Sequence, residues 1–125
     1  MYEGELVDNS MNGHGVYYKR DGSKYTGKFV DDAPEGEGVE EWLDGAKFHG
    51  NYLKGSKNGY GVFHFANKSK YEGNFKQDLF WGEGTLTREN GTKYIGNWKD
   101  GFLQSPATIL TSDGNKYVGE IDKMQ

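Results

Sequence analysis

Cysteine is absent from the 125 residues, and only 2 prolines occur. The first absence removes disulfide frameworks, thiolate metal sites and cysteine nucleophiles together. Also missing is any run approaching the roughly 18 uninterrupted apolar residues that a bilayer-spanning helix needs. The first residues, Met1-Tyr2-Glu3-Gly4-Glu5, have neither the basic start nor the apolar stretch of a signal peptide. A soluble, unsecreted, cytoplasmic chain is expected, with cytoskeletal or membrane association as a further expectation. Leu, Ile, Val and Ala are too scarce for a conventional two-layer core.

What is present instead is 20 Gly with 9 Tyr, 7 Phe and 3 Trp. That many large rings argue against disorder, since disordered segments lack the apolar groups that offset chain entropy. Burial must come mainly from rings packed beside glycines.

A 23-residue period organises the chain as one array. Residues 2–24, 25–47, 48–70, 71–93 and 94–116 align without a gap, and a partial sixth copy occupies 117–125. Column one is always a ring: Tyr2, Tyr25, Phe48, Tyr71, Tyr94, Tyr117. Column three is always glycine, and column five is large and apolar: Leu6, Phe29, Tyr52, Phe75, Trp98, Ile121. With mostly polar residues between, this is the alternation of a strand with one packed face. Columns twelve and fourteen form a G-x-G pair in four copies, followed by a second strand rich in β-branched and aromatic residues. Columns twenty and twenty-one read Asp21-Gly22, Asp44-Gly45, Asn67-Lys68, Asn90-Gly91 and Asp113-Gly114. Asp-Gly and Asn-Gly between strand-like runs predict hairpins closed by type I′ turns. Glycine at fixed strand columns is explained by a neighbouring ring lying over it where no β-carbon fits.

Y-x-G-x-[WF] followed by G-x-G at this spacing resembles the MORN (membrane occupation and recognition nexus) repeat, over residues 2–121. The resemblance implies an all-β fold: an elongated, twisted, single-layer antiparallel meander of β-hairpins with an aromatic-lined groove and no helix. It also implies a binding, scaffolding or membrane-association module, free-standing or joined to catalytic domains such as lipid kinases. No catalytic domain is legible here. The array lacks atypical terminal units, so either a longer polypeptide or a pairing partner is expected to cover its open edges.

The remaining chemistry is thin. His14, His49 and His64 lack the close spacing of metal ligands, so no metal and no cofactor is expected. The acids Asp31, Asp32, Glu35, Glu37, Glu40, Glu41 and Asp44 read as a solvated face rather than a glycosidase pair. The G-x-G pairs precede strands and lack the lysine and serine of a phosphate loop. Nucleic acid is disfavoured by the net charge of −4.

The expected function is therefore a non-catalytic scaffold or adaptor. Its protein partner, an extended peptide or an amphipathic helix, is expected on a groove drawn from Tyr25, Phe29, Trp42, Tyr52, Phe63, Phe65, Tyr71, Phe75, Tyr94 and Trp98. Repeats four and five break the pattern: the Asp78-Leu79-Phe80-Trp81 segment and Phe102-Leu103 place apolar residues in expected loops, and Ser105-Pro106-Ala107 replaces G-x-G. Leu79, Phe80, Trp81, Phe102 and Leu103 are the candidate interface for a homodimer or a partner. The alternative function is a peripheral tether to an anionic membrane surface or phosphoinositide. It would act through Lys54, Lys57, Lys68 and Lys70 of repeat three, which carries no acid.

Overall fold

A computed structural model describes residues 1–120. Every element in it is a β-strand, and together they form a single open antiparallel sheet. The strands are β1 (Tyr2–Val7), β2 (Ser10–Tyr18), β3 (Lys24–Val30), β4 (Ala33–Glu41), β5 (Lys47–Leu53), β6 (Ser56–His64), β7 (Lys70–Lys76), β8 (Leu79–Thr87), β9 (Lys93–Lys99), β10 (Phe102–Leu103), β11 (Ala107–Leu110) and β12 (Lys116–Gly119). Neighbours in sequence pair throughout β1 to β9; β9 then pairs with both β10 and β11, and β11 with β12. The column-five residue Ile121 lies outside the described residues.

The core is a spine of rings on one face. Column-one and column-five rings alternate as Tyr2, Phe29, Tyr25, Tyr52, Phe48, Phe75, Tyr71 and Trp98, each meeting the next edge to face with centroids 5.0–5.6 Å apart. All but Tyr2 are buried. Edge-to-face pairs add about 0.5–1.5 kcal/mol beyond the area they bury, so the spine links each repeat to the next.

Beneath the rings runs an unbroken cross-strand line of glycines: Gly4, Gly15, Gly27, Gly38, Gly50, Gly61, Gly73, Gly84 and Gly96. The Tyr71 ring lies so close to Gly84 that a β-carbon there would sit 2.5 Å from its Cζ. Column-fourteen glycines thus make room for rings, as the alternation of the sequence predicts. The column-twelve glycines answer a different need. The register of the first four hairpins slips between columns three and five, as between Gly27 and Phe29, and Gly36 in that bulge takes φ +76°, a region side chains disfavour. Tyr25 and Tyr71 donate their hydroxyls to the column-four carbonyls in this slip, those of Lys28 (3.1 Å) and Asn74 (3.0 Å).

The turns differ from the sequence expectation. Two-residue turns with positive φ at both positions lie at columns seven and eight: Asp8-Asn9, Asp31-Asp32, Lys54-Gly55, Gln77-Asp78 and Asp100-Gly101. The Asp-Gly columns instead have positive φ only at column twenty-one, and the Gly45 N–H bonds the Trp42 carbonyl while the Trp42 N–H bonds that of Ala46. This is a three-residue loop closed by a bulge. The Asp or Asn of column twenty accepts the N–H two residues on, as Asp44 does from Ala46 (2.9 Å), which explains the residue type without a type I′ turn.

Repeats are also stitched at the two-residue tips. The column-eight N–H donates to the column-ten carbonyl of the preceding repeat, as from Asp78 to Lys57 at 3.1 Å. Where column eight is Asp, its carboxylate takes the reciprocal N–H, Met11 to Asp32 at 2.7 Å and Lys57 to Asp78 at 2.8 Å.

Candidate aromatic binding band

Nine of the ten rings predicted for a groove separate into two sets, and Tyr94 stands apart. Tyr25, Phe29, Tyr52, Tyr71, Phe75 and Trp98 form the buried spine. Trp42, Phe63 and Phe65 are half-buried and stand beside it as a second band, continued by Phe80. Trp42 stacks on Phe63 with centroids 5.4 Å apart, Phe63 meets Phe65 at 4.7 Å, and Phe65 meets Phe80 at 6.2 Å. Tyr94 is half-buried further along, under the Arg88 guanidinium.

The band is local because of column eighteen, which immediately precedes each three-residue loop. Its occupants are Lys19, Trp42, Phe65, Arg88 and Thr111, so rings stand there only in repeats two and three, with cations on either side. Two hollows flank the band. One of about 420 Å³ is lined by Trp42, Asp44, Ala46, Phe63, Phe65, Ala66 and Asn67. The other, about 240 Å³, is lined by Phe63, Phe65, Phe75, Asp78, Leu79, Phe80 and Gly101.

In repeats three and four, column ten covers the column-one ring of its own hairpin. Phe80 lies flat on Tyr71 at 3.8 Å, and Leu103 is buried near Gly96. In repeat three the same position is Lys57, whose ammonium lies 5.2, 5.4 and 5.8 Å from the ring centres of Phe48, Trp42 and Phe63. Its side chain is only 13% exposed, and Nζ is 3.8 Å from the Asp78 carboxylate.

The four repeat-three lysines therefore share no surface. Lys54 sits in a two-residue tip and Lys57 over the Phe48 ring, whereas Lys68 and Lys70 lie at the far end of the nine-residue β6, roughly 26 Å away at strand rise. Lys70 pairs with Glu72 at 3.5 Å.

The proposed C-terminal interface residues are likewise divided. Residues 79–81 open β8 and 102–103 form β10, so the segments expected as loops are strands beyond two-residue tips. Strand alternation turns Phe80 and Leu103 inward and leaves Leu79 and Phe102 exposed on the other face. Trp81 is half-buried beneath the Lys76 ammonium, 4.6 Å from its ring centre. Val7, Val30 and Leu53 are also exposed at the preceding tips. Large apolar residues move from column six to column nine between repeats three and four, so every tip carries one.

One residue departs from the expected solvated acidic face. The acidic run is not uniformly solvated: Glu40 is buried, accepting from the Tyr52 hydroxyl at 2.8 Å and from Lys19 Nζ at 2.6 Å. Its column faces the spine, and Lys19 reaches across from the preceding repeat to compensate the charge. Burial, then the Glu40 charge, pushes the Tyr52 hydroxyl well above its ordinary value. Burial likewise raises Tyr71, and Tyr25 is pushed up to about 12 by burial and then by Glu40 and Glu35. Among the described residues, no cluster of three or more His, Cys, Asp or Glu is placed to hold a metal ion. No helix among them is long and apolar enough to cross a membrane.

A single-layer sheet of 23-residue hairpins with a ring spine over a glycine line defines a repeat module, and the chain belongs to the MORN repeat family. The family model matches residues 2–24, 25–47, 48–70, 71–93 and 94–116. MORN repeats serve as protein- and membrane-binding modules, and the family is generally non-catalytic. No curated protein sequence matches the chain. Among solved structures, the chain is similar to the TCP domain of Drosophila melanogaster SAS-4 (dCPAP), determined in complex with a proline-rich motif of Ana2 (dSTIL). The TM-score is 0.55 at 17% identity; the match covers 86% of this chain and 59% of that one, a likeness of fold.

Proposed function

We propose that this chain is a non-catalytic scaffold module whose aromatic band binds a protein partner through an extended, proline-containing segment. The observation that carries the reading is the contiguous half-buried run of Trp42, Phe63, Phe65 and Phe80. The spine already satisfies the core, so these rings are available in a way the spine rings are not. Equivalent positions in successive repeats are two strands apart, about 9.6 Å at ordinary strand spacing. Three residues of polyproline II helix advance about 9.3 Å, so a segment crossing the strands can meet equivalent rings at every third residue. Flat rings are also the surface that recognises such segments. The proline-rich motif bound by the SAS-4 TCP domain is a precedent on a similar fold.

The test is calorimetric titration with synthetic proline-rich peptides, using wild type and the Trp42→Ala/Phe65→Ala double variant. Loss of one buried anchor ring costs about 2 kcal/mol or more, so at least a thirtyfold weakening is expected. Undiminished binding by a folded double variant excludes the band.

The exposed tip residues favour one further reading, self-association along that edge. Leu79→Glu/Phe102→Glu is then expected to shift a concentration-dependent dimer to monomer in light scattering. A wild-type chain that stays monomeric at high concentration rules this out.

A further inference from the structure

We infer that Lys57 is a specificity-determining residue of the band, excluding cationic side chains from it by filling an aromatic cage with its own ammonium. This rests on the peptide-binding reading above and names which peptides the band accepts.

Column ten is occupied by Met11, Pro34, Lys57, Phe80 and Leu103, so Lys57 is the one charged residue in a column otherwise apolar. Its position is that of Phe80, which covers Tyr71 ring to ring. In repeat three the covered ring is Phe48, fully buried, and the cover is an ammonium with three ring centres within 5.8 Å. A cation over several ring faces is drawn to their negative π surface, most strongly when water is excluded, as it is for a side chain 13% exposed. The hold is reinforced from the next repeat. Asp78 accepts the Lys57 backbone N–H at 2.8 Å and lies 3.8 Å from its ammonium.

Trp42 and Phe63, two walls of this cage, are also two members of the band. An incoming lysine or arginine would have to share the ring faces with a resident like charge or displace it from the rings and Asp78. An uncharged proline ring carries no such penalty. Without Lys57, the face of Phe48 between Trp42 and Phe63 would be a vacant ammonium site.

Tetramethylammonium chloride, with sodium chloride as the ionic-strength control, is the direct probe, followed by NMR at the Trp42 indole. Saturable shifts are expected for Lys57→Ala and not for wild type or Lys57→Met, whose uncharged chain of similar length keeps the cage filled. Equal saturation of wild type and Lys57→Ala, or no binding to a folded Lys57→Ala, overturns the inference. A second arm uses wild type alone. A proline-rich peptide is expected to bind at least tenfold more tightly than the same peptide with its central proline replaced by lysine, and equal affinities overturn the inference. If neither peptide binds wild type, the peptide-binding reading fails and the selectivity with it. The tetramethylammonium arm still decides separately whether Lys57 closes the cage.

Discussion

Gly73 and Gly84 face each other in the glycine line, and replacing either with alanine separates two kinds of crowding. A β-carbon on Gly84 would first meet the Tyr71 ring, whose Oη, Cζ and Cε1 are its three nearest atoms, with Cζ at 2.5 Å. Ordinary contact begins near 3.4 Å, so the ring must retreat by about 1 Å. It has nowhere to go: Tyr71 is fully buried, Phe80 lies flat on it at 3.8 Å, and Phe75 and Trp98 hold its edges. Overpacking of this kind costs about 1–3 kcal/mol, and losing the hydroxyl bond to the Asn74 carbonyl adds about 1 kcal/mol. Gly84→Ala is thus expected to cost about 3 kcal/mol, roughly a 10 °C fall in thermal midpoint. On Gly73 the nearest atom is the Cα of Gly84 at 2.4 Å, with the Glu83 carbonyl at 2.6 Å. Paired backbone can shift even less than the packed ring, so Gly73→Ala is expected to cost more, and Gly73→Val more again. The double-mutant cycle is decisive. In a Tyr71→Ala background the cost of Gly84→Ala should fall sharply, whereas most of that of Gly73→Ala should persist, because its two nearest atoms are backbone. Equal rescue of both, or an unchanged midpoint for either single variant, would refute this account of the glycine line.

Three further outcomes follow from named contacts. Glu40→Ala removes a buried carboxylate that partners Tyr52 and Lys19, and a loss of about 2–3 kcal/mol in urea denaturation is expected, against about 1 kcal/mol for Tyr52→Phe. Alkaline stability should also report the buried tyrosines. The folded Tyr25 titrates near 12 and the unfolded one near 10, so its stabilisation is fully present below pH 10 and is lost as pH rises from 10 to 12. The expected slope is about 1.4 kcal/mol per pH unit per buried tyrosine, and a denaturation midpoint flat across that window would contradict it. Lys68→Gly places glycine where Gly22, Gly45, Gly91 and Gly114 stand in the other loops; relieving φ +75° at a side chain should stabilise by about 1 kcal/mol in thermal unfolding.

Much of the architecture was legible because it depends on periodic features. Column-one rings, column-three glycines and alternating polarity are enough to fix strands, register and the packed face. Turn geometry was not legible at the Asp-Gly columns, because Asp-Gly suits both a type I′ turn and a loop closed by a bulge. The surrounding backbone bonds decide between them, as at Trp42 and Ala46. The burial of Glu40 was obscured by six neighbouring acids; only the Tyr52 hydroxyl, reaching from further along the next strand, and Lys19 from the repeat before make it tolerable. Candidate groove rings could be named but not sorted, since spine and band use the same residue types. Column eighteen held the missing signal: an aromatic pair, Trp42 and Phe65, at a position cations occupy on either side. Lys57 was grouped with Lys54, Lys68 and Lys70 by composition, and only the third dimension places it over Phe48.

The most direct test of the central claim is an NMR titration of the isotopically labelled chain with a proline-rich peptide. Peptide binding on the band predicts saturable shifts confined to Trp42, Phe63, Phe65, Phe80 and the residues of the two flanking hollows. Shifts confined to the opposite face or to the exposed tips at Leu79 and Phe102, or no saturable shifts at all, would contradict it.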